Sequence, residues 1–557
     1  MPTILVEPKD FCELLGEELD PEQLVDQLDL AKAEYKGLDE QGYWRIELND
    51  TNRPDLWSAE GIARQLRCAK GRRRDYPFFE GTSAGEIRVD PALEDIRPYV
   101  GAFIAKGLKV TETVLKLIIQ TQEKLAENFG RRRRDVAIGV YNVNKIKFPV
   151  LYKSQDPAGH SYVPLGFEES MSLADILERH PKGIEYRNIF AGCDKVPLLI
   201  DQAGLTLSMP PIINSREVGE IGPGDSDLFV EATGTDIHSV ILTLNIMACD
   251  MADRGARIDR VTTFYPFDTP LGREVVVPHR LDRSLTIPVA EFSRLLGVTI
   301  KPIEVDNVLE RYGCDISIKG EDFEVTPPPT RNDYLHIVDV IEDFAIARGY
   351  ETFSPRMPQK FSPGKPDADS VLEDKVRDHM IGLGYEELIS SILVARAQIA
   401  ERMNLADSQV VEIANLMNEN YAVLRNAVLP SLLTAEAHST AAAYPHHMFE
   451  AGEVAVFDKS VAHGSRTELH LAALVAHREA NLSQIHADLE FLFYQLGLEL
   501  NLQQVEHPTY LPGRVAKILL PDGRDFGLLG EVNPEVLENW EIGVPASAFE
   551  INLDALV

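Results

Sequence analysis

The chain has 557 residues and a strongly acidic balance, since 55 basic and 88 acidic side chains give 55 − 88 = −33. At the usual ~100 to 200 residues per domain, this length predicts about three to five domains, each with a core of its own. With 44% apolar and 26% charged residues, the composition excludes a disordered or collagen-like protein. The acidic charge excludes a surface that is basic throughout, so any contact with nucleic acid has to be local.

Cysteine usage and the start of the chain predict the compartment. The five cysteines are scattered and never spaced as Cys-x-x-Cys, which argues against a disulfide framework, an iron-sulfur cluster or a cysteine zinc site. Glu7, Lys9 and Asp10 stand where a signal peptide would have an apolar run, and no run of ~18 uncharged apolar residues occurs. The sequence therefore predicts a soluble cytoplasmic protein.

The first predicted block covers residues 1–85. Its predicted elements are a strand over Thr3–Val6, a helix over about Pro21–Leu30, a strand over Tyr43–Leu48, a helix capped by Ser58, and a linker over Phe78–Gly85. Arginine and lysine side chains cluster in residues 64–74 and again in residues 131–134. From charge alone, solvated faces of a helix and a turn are favoured over a local RNA contact.

The other three predicted blocks complete an α+β multidomain fold. Residues 86–270 carry predicted helices over Val110–Phe129 and after Asp236. Residues 271–352 carry predicted helices over Val289–Leu296 and Val305–Arg311 and a last helix ending at Gly349. Residues 353–557 carry predicted strands over Leu469–Ala476 and Val515–Leu520 and a helix over Leu482–Leu496. The Pro- and Gly-rich segment Ser362–Asp369 is the predicted hinge of the last block.

Carboxylates cluster around the helix that ends at Gly349. Asp339, Glu342 and Asp343 have i, i+3, i+4 spacing, so a helix would place three like charges on one face, where a cation would have to neutralise them. A few carboxylates with waters form a typical magnesium site, which Asp333 would join from the cap position. The alternative, that acids near a helix N-terminus simply favour the macrodipole, is equally supported by the spacing.

Two strand ends in the second block carry hydroxyl groups. The segments 199–215 and 228–236 could meet around a small polar pocket, with amides of the Thr233-Gly-Thr235 turn aimed at an anion or oxyanion. No Ser-His-Asp order is evident, so hydrolysis here would use a positioned water. Capping alone explains Thr235 and Asp236 and is the favoured alternative on these residues.

Common enzyme motifs do not occur in the sequence. There is no phosphate loop, no Gly-x-Gly-x-x-Gly after a strand, no His-Glu-x-x-His and no Gly-x-Ser-x-Gly. His446 and His447 are interpreted as surface histidines, because adjacent residues on a strand point to opposite faces.

Several motifs in a fixed order carry a family resemblance. They are Asn52–Arg64, Ser208–Ser215, Glu231–Asp236, Pro328–Tyr350, Leu424–Leu433, Gly513–Ala516 and Gly530–Leu537. Together they resemble the beta subunit of phenylalanyl-tRNA synthetase of the archaeal and eukaryotic cytosolic type, over essentially the whole chain. The resemblance implies a small N-terminal α/β domain over 1–85, an α+β editing domain over 86–270, a small helical or winged domain over 271–352, and a class II synthetase-like antiparallel sheet domain without catalytic motifs over 353–557.

The resemblance also implies partners and chemistry. It implies an alpha2 beta2 heterotetramer in which the alpha subunit carries the active site, with the tRNA for phenylalanine as a further partner and no contact with a membrane. ATP would be a substrate of the complex. A Mg²⁺ ion shared with the alpha subunit would be bound at Asp333, Asp339, Glu342 and Asp343. The editing domain would hydrolyse tyrosine mischarged onto that tRNA. A phenyl pocket cannot strongly reject a ligand that only adds a hydroxyl, whereas a site that hydrogen-bonds the hydroxyl rejects plain phenyl by ~10⁴-fold or more.

Five residues of the editing pocket follow from the same resemblance. Glu231, Thr233 and Ser208 would recognise the phenol or place the water, and Leu199 and Asn214 would bind the substrate, with Leu199 on the apolar wall. Two alternatives stay open. One is a non-enzymatic scaffold with an inactive editing pocket, and the other is a stand-alone metal-dependent hydrolase centred on residues 333–343.

Overall fold

A computed structural model describes residues 2–281, 283–320, 322–405, 409–439 and 441–556. The chain divides into two compact units, residues 1–356 and residues 357–557. Each unit combines helices with sheets, which confirms the predicted multidomain α+β class.

The first unit begins with a small antiparallel sheet. Its strand order is Thr3–Val6, Trp44–Leu48, Ala33–Leu38. The helices Pro8–Leu15, Pro21–Leu28 and Ala59–Ala69 belong to the same segment. Ser58 caps the last of these helices by accepting a hydrogen bond from the Gly61 amide at 2.9 Å, as predicted.

A large mixed sheet occupies the middle of the first unit. Its strand order is Ile213–Asn214, Thr206–Met209, Val196–Ile200, Val150–Gln155, Ser83–Val89, Arg257–Phe264, Tyr99–Lys106, Leu228–Gly234 and Val136–Asn142, and Glu274–Val277 pairs with Arg257–Phe264. Ser83–Val89 is parallel to both of its neighbours, and the other pairs in the sheet are antiparallel. The helices of this region are Glu112–Lys124, Leu173–Arg179, Pro181–Tyr186, Arg216–Gly219 and Ile237–Asp253.

The linker predicted over Phe78–Gly85 is wrong. Residues Pro77–Glu80 form a 3₁₀ turn, and the next strand starts at Ser83 inside the large sheet. A Cβ on Gly85 would lie 2.7 Å from the ring of Phe148, so this glycine lets the aromatic ring pack against the strand. One hydrophobic cluster runs from Ile4 to Val277, so the first predicted block shares its core with the large sheet.

The first unit ends in a smaller sheet with helices. The strand order is Leu285–Pro288, Asp322–Thr326, Asp315–Lys319, all antiparallel. The helices are Val289–Leu296, Pro302–Glu310 and Ile337–Arg348. Buried Phe292, Phe323 and Phe344 pack edge to face in a separate core.

The second unit is built on one extended sheet. Its strand order is Glu386–Glu387, His446–Phe457, Ser465–Ala476, Ala546–Asn552, Asp525–Val532, Tyr510–Leu519 and Asn501–Gln504, antiparallel except at the first pair. Leu393–Val394 pairs separately with Val423–Leu424. The helices are Ala368–Gly382, Arg396–Ile399, Leu429–His438, Leu482–Leu496 and Pro534–Asn539.

Most predicted elements are present, with modest shifts at their ends. The helices Val289–Leu296 and Leu482–Leu496 have the predicted bounds. The helix predicted over Val110–Phe129 starts at Glu112, after Thr111 caps it, and its last turn over Leu125–Phe129 is π-helical. Within the part of the chain that the structure describes, no helix has the length and apolar character needed to cross a membrane.

Candidate active site

A cavity of about 330 Å³ lies in the first unit, between the helix Glu112–Lys124 and the strands of the large sheet. Its apolar lining includes Leu115, Ile118, Val140, Ile212, Ile213 and Leu228. Ser208, Asn214 and Glu231, which come from three different strands, also line it. The structure therefore brings together three of the five residues predicted for an editing pocket.

Glu231 is the buried acid of this cavity. It sits in the middle of the strand Leu228–Gly234 with only 2% of its surface exposed. Its Oε1 lies 2.8 Å from the Tyr141 hydroxyl, and its Oε2 is buried without a hydrogen-bond partner among the described residues. Burial raises the pKa of Glu231 to about 7, although the Tyr141 hydrogen bond and the charge of Arg97 both act in the opposite direction.

Tyr141 links the polar groups of the site. Its hydroxyl lies 2.9 Å from Ser208 Oγ and 3.3 Å from Asn214 Oδ1, in addition to its contact with Glu231. A phenol has one proton to donate, and the ionised form of Glu231 can only accept, so in that form the Tyr141 proton goes to Glu231 and the Ser208 hydroxyl can donate to the phenol. Burial raises the pKa of Tyr141 well above its usual value, so this side chain stays neutral.

Gly139 provides the space for that contact. It pairs with Glu231 across adjacent strands, and paired residues face the same side of a sheet. A Cβ at residue 139 would lie 2.1 Å from the Tyr141 hydroxyl and 2.4 Å from Glu231 Oε1. Only glycine therefore lets the phenol and the carboxylate meet.

Thr233 does not line the cavity, contrary to prediction. Its Oγ1 accepts a hydrogen bond from Arg97 Nε at 2.9 Å, and its carbonyl accepts one from Arg97 Nη2 at 2.6 Å. Arg97 is 1% exposed, and burial lowers its pKa to about 10, against the attraction of groups that include Glu231. At neutral pH Arg97 is charged, so Thr233 anchors a buried cation near Glu231.

Leu199 is also absent from the cavity wall. It pairs with Ser208 on one side and with Tyr152 on the other, and it is fully buried in the core of the sheet. Leu199 shares a sheet face with its paired residue Ser208, but core packing covers its side chain and it does not reach the cavity.

The Thr233-Gly-Thr235 turn does not present free amides. The Thr235 amide donates to the Asp135 carbonyl at 3.1 Å, and Gly234 pairs with strands on both sides. The predicted oxyanion site at this turn is therefore wrong, because the sheet already uses these donors. Asp236 caps the following helix by accepting from the Ser239 amide at 2.7 Å, as the alternative interpretation predicted.

The second predicted site, the carboxylate cluster, is organised around a buried arginine. Arg331 is 3% exposed and donates to both oxygens of Asp333, at 2.9 and 2.6 Å, and to Asp343 Oδ2 at 2.6 Å. The Tyr334 hydroxyl donates to the same Asp343 oxygen at 2.6 Å. Burial alone would raise the pKa of Asp333, but its attraction to Arg331 lowers it.

The other two carboxylates point to different partners. Asp339 Oδ2 accepts hydrogen bonds from the amides of Leu335 and His336, and Glu342 Oε1 lies 3.0 Å from Lys32 Nζ. The cap predicted at Asp333 is wrong, because His336 is the N-cap and Asp333 forms the stronger bidentate pair with Arg331. Among the described residues, no three His, Cys, Asp or Glu side chains converge as metal ligands. Asp333, Asp339, Glu342 and Asp343 as arranged therefore do not fit a magnesium ion.

His446 and His447 lie on a strand of the second unit and have different partners, as adjacent strand residues do. His446 Nδ1 lies 2.8 Å from Glu436 Oε2, while the His447 ring is 5.1 Å from the ring of Tyr385. Both are half-buried rather than fully exposed surface residues.

Comparison with known proteins identifies the family. The model described as the phenylalanyl tRNA synthetase beta chain CLM domain matches residues 354–553, and the tRNA synthetase B5 domain model matches residues 285–350. The chain is 38% identical over 566 residues to the phenylalanine–tRNA ligase beta subunit of Borreliella burgdorferi strain ZS7, with all of both chains covered. The chain belongs to the phenylalanine–tRNA ligase beta subunit family. It is therefore one subunit of an aminoacyl-tRNA synthetase.

Two further relatives bear on the type of beta subunit. The chain is 39% identical over 569 residues to the beta subunit of Borrelia garinii subsp. bavariensis, again with all of both chains covered. A crystal structure of an N-terminal fragment of the phenylalanyl-tRNA synthetase beta subunit from Pyrococcus horikoshii shares 37% identity at a TM-score of 0.59 and covers 63% of this chain and 100% of that chain. Relatives from such different sources establish the beta subunit family without selecting the archaeal and eukaryotic type.

Sequence reasoning missed the residues that organise this beta subunit's cavity. Tyr141, Gly139 and Arg97 stand in no motif, and their partners lie far away in the chain. The available signal was Tyr141 itself, whose polar hydroxyl follows the apolar residues 136–140 of its strand.

Proposed function

We propose that the cavity at Glu231 is a proofreading site that hydrolyses tyrosine from mischarged tRNA for phenylalanine, within an enzyme that charges this tRNA using ATP. The observation that supports it is the buried Oε2 of Glu231, which has no partner among the described residues, in a cavity whose lining is mostly apolar. A buried acceptor without a partner is costly, and a phenolic hydroxyl is a donor of the right reach. Phenylalanine lacks this donor, so it would leave the acceptor unsatisfied.

The chemistry of the cavity favours recognition rather than covalent catalysis. Ser208 contacts Tyr141 and has no histidine partner in the described structure, so it lacks the base that a serine nucleophile needs. The proposal therefore has a water molecule as nucleophile. Glu231 would hold the phenol, Tyr141 would orient the Glu231 carboxylate, and Ser208 and Asn214 would complete the polar rim.

The test is deacylation by the enzyme assembled with its alpha subunit. We expect Glu231→Gln and Glu231→Ala to lose at least about tenfold in hydrolysis of tyrosyl-tRNA, since a hydrogen bond to a charged group is worth about 1.5 to 3 kcal/mol. Charging with phenylalanine should be unchanged. Glu123→Gln is the control, because Glu123 is an exposed acid at the same cavity. Unchanged tyrosine hydrolysis in both Glu231 variants would favour the alternative of a scaffold with an inactive pocket.

The wider assembly is part of the same proposal. The family supports an alpha subunit as partner, an alpha2 beta2 heterotetramer, tRNA binding and a cytoplasmic location. It also supports an editing domain over about 86–270 and a class II synthetase-like domain over about 353–557 that lacks catalytic motifs. The archaeal and eukaryotic type is also proposed; the 37% identity to the Pyrococcus horikoshii fragment is compatible with it, although the relatives do not select this type. Mass measurement of the co-expressed subunits tests the stoichiometry.

The proposed hydrolysis has no step through a magnesium ion at Asp333, Asp339, Glu342 and Asp343, because these carboxylates as arranged do not fit one. An ion shared with the alpha subunit would have to displace Arg331 from Asp333 and Asp343, two of the four expected ligands. The alternative of a stand-alone metal-dependent hydrolase has no support from this arrangement.

A further inference from the structure

A second cavity of the first unit, of about 70 Å³, is rich in arginine. It is lined by Arg53, Arg64, Arg67, the run Arg72–Arg74 and Arg280, while Asp55 and Asp75 are the acids in its lining. Two sequence features meet here, the basic cluster of residues 64–74 and the Asn52-Arg-Pro-Asp motif. This concentration of positive charge stands out in a chain of net charge −33.

Most of the arginines are held in place by ion pairs with acids. Arg53 forms a bidentate pair with Asp55, at 2.8 and 2.9 Å, and Arg64 binds Asp250 at 2.7 Å and Asp253 at 3.1 Å. These pairs fix the guanidinium groups without using all five N–H donors of each. The cavity thus has preorganised donors.

Two arginines of the lining lack such partners. Arg67 makes one long hydrogen bond, from Nη1 to the Leu14 carbonyl at 3.5 Å. Arg280 lies over the ring of Phe79, with its guanidinium carbon 5.5 Å from the ring centroid. Within the described residues no ion pair joins either of them to a carboxylate. Their charge is available to a ligand.

Gln65 supplies an independent indication of what that ligand is. It lines the same cavity and is 6% exposed. Its Oε1 accepts a hydrogen bond from Arg53 Nη2 at 3.2 Å, which orients the amide, and its Nε2 is buried without a partner among the described residues. A buried N–H donor without a partner requires an acceptor.

We propose that this cavity binds a phosphate group. Phosphate oxygens accept the hydrogen bonds that Gln65 and the arginines offer, and the planar guanidinium fork matches phosphate geometry. The cavity is too small for a nucleobase and admits a single compact anion. The same chemistry is available from free phosphate and from a phosphodiester of the RNA backbone, and these two sources are separable by experiment.

The first experiment titrates inorganic phosphate into the assembled enzyme by calorimetry at constant chloride. Gln65→Glu replaces the amide by a carboxylate of the same shape, and Arg67→Gln removes a charge that has no ion pair. We expect each to weaken phosphate binding by at least about tenfold. Arg88→Gln is the matched control, because Arg88 is exposed and its ion-pair partner among the described residues is Glu86, and it should bind phosphate as the parent does.

The second experiment measures binding of the tRNA to the same variants, with and without added phosphate. If the ligand is an RNA phosphodiester, Gln65→Glu and Arg67→Gln weaken tRNA binding, and loss of one contact lowers the salt slope by about 1. If the ligand is a free anion, tRNA binding stays unchanged while phosphate binding falls. The proposal is overturned if neither variant changes phosphate binding or tRNA binding. If binding is unaltered and the variants have lower thermal stability, the arginines have a purely structural role.

Discussion

The Tyr141 hydroxyl lies 2.8 Å from Oε1 of Glu231, although the two residues are 90 positions apart in the chain. They meet because their strands are adjacent in the sheet and Gly139 leaves the space between them. This contact satisfies one oxygen of a buried carboxylate and leaves the other for a ligand. The hydrogen bond from Tyr141 therefore sets the orientation of the Glu231 carboxylate.

Removing the Tyr141 hydroxyl should impair proofreading without abolishing the fold. Tyr141→Phe keeps the ring and loses the contacts with Ser208, Asn214 and Glu231. We expect tyrosyl-tRNA hydrolysis to fall about tenfold or more, because the carboxylate loses its orienting partner. Single-turnover deacylation measures this, and phenylalanine charging should stay at the parent level. Equal hydrolysis by parent and variant would show that the hydroxyl has no role in orientation.

Adding one methyl group at residue 139 should have a similar effect. In Gly139→Ala the new Cβ would overlap the Tyr141 hydroxyl and Glu231 Oε1, so one of them has to move. We expect a loss of about 1 to 3 kcal/mol in stability together with lower deacylation. Gly222→Ala is the control, because a Cβ there meets no heavy atom within 4 Å and its φ is not positive. Urea denaturation of both variants gives the difference.

The buried Glu231 should make stability fall as the pH rises. Its folded-state pKa is raised to about 7, so between the ordinary carboxyl value and pH 7 the folded state binds more protons than the unfolded state. The slope of the unfolding free energy with pH is then negative over this window. Glu231→Gln removes the titration, and its stability relative to the parent should be higher at pH 8 than at pH 4 by about 3 kcal/mol. Denaturation across this range checks the sign, and an unchanged difference would contradict the raised pKa.

Arg331 should matter more to stability than any divalent cation. Arg331→Met leaves Asp333 and Asp343 buried without their partner, which we expect to cost about 3 to 5 kcal/mol. Hydrogen exchange over the helix Ile337–Arg348 measures the local opening. In the control Arg348→Met the lost partner is the half-buried Glu304, and the cost should be below about 1 kcal/mol.

The same region should be insensitive to chelator. Because the four carboxylates have no common centre, EDTA should leave the exchange rates of Ile337–Arg348 unchanged in the purified beta subunit. Slower exchange on addition of magnesium, lost again in Asp339→Asn, would instead support a metal site at these carboxylates.

His470 should stabilise the second unit mainly at low pH. Its Nδ1 lies 2.8 Å from Glu550 Oε1 and its Nε2 3.2 Å from Glu468 Oε2. Burial lowers the pKa of His470, but the two glutamates outweigh burial, and the net shift is upward. The stabilisation is therefore complete below the ordinary histidine pKa and is lost as the pH rises through the raised value.

Replacing His470 tests this sign. His470→Gln should lower the unfolding free energy by about 2 kcal/mol at pH 6 and by clearly less at pH 9. The exposed His463→Gln should change it at neither pH. A loss of equal size at both pH values would mean that packing, and not charge, explains the role of His470.

Local patterns in the sequence predicted many of the elements. The helices Val289–Leu296 and Leu482–Leu496 were predictable because apolar spacing and capping are properties of neighbouring residues. The start of the strand at Ser83 was not, because the Gly- and Ser-rich composition of residues 81–85 resembles a linker and only the pairing partners make it a strand.

The candidate sites divide in the same way. Glu231, Ser208 and Asn214 lie in the motifs and line the cavity, whereas Thr233 lies in the same motif as Glu231 but binds Arg97. Leu199, which was predicted from the resemblance outside these motifs, packs in the core. The spacing of Asp339, Glu342 and Asp343 predicted one charged face, yet Asp343 turns inward to Arg331 and Glu342 outward to Lys32. Helical spacing determines the angular position of each side chain around the helix axis, but it does not predict which cationic side chain packs beside each carboxylate.

The sequence by itself determined the family of this protein, its α+β class and Glu231 as a candidate residue, because these depend on residue order and on local patterns. Only the tertiary structure decided that Tyr141 and Gly139 frame Glu231, that Arg331 occupies the carboxylate cluster, and that Gln65 and the arginines share a cavity. Each of these depends on partners brought together across a sheet or between segments. Buried polar groups need hydrogen-bond partners to offset desolvation, and these partners cannot be read from a local sequence pattern.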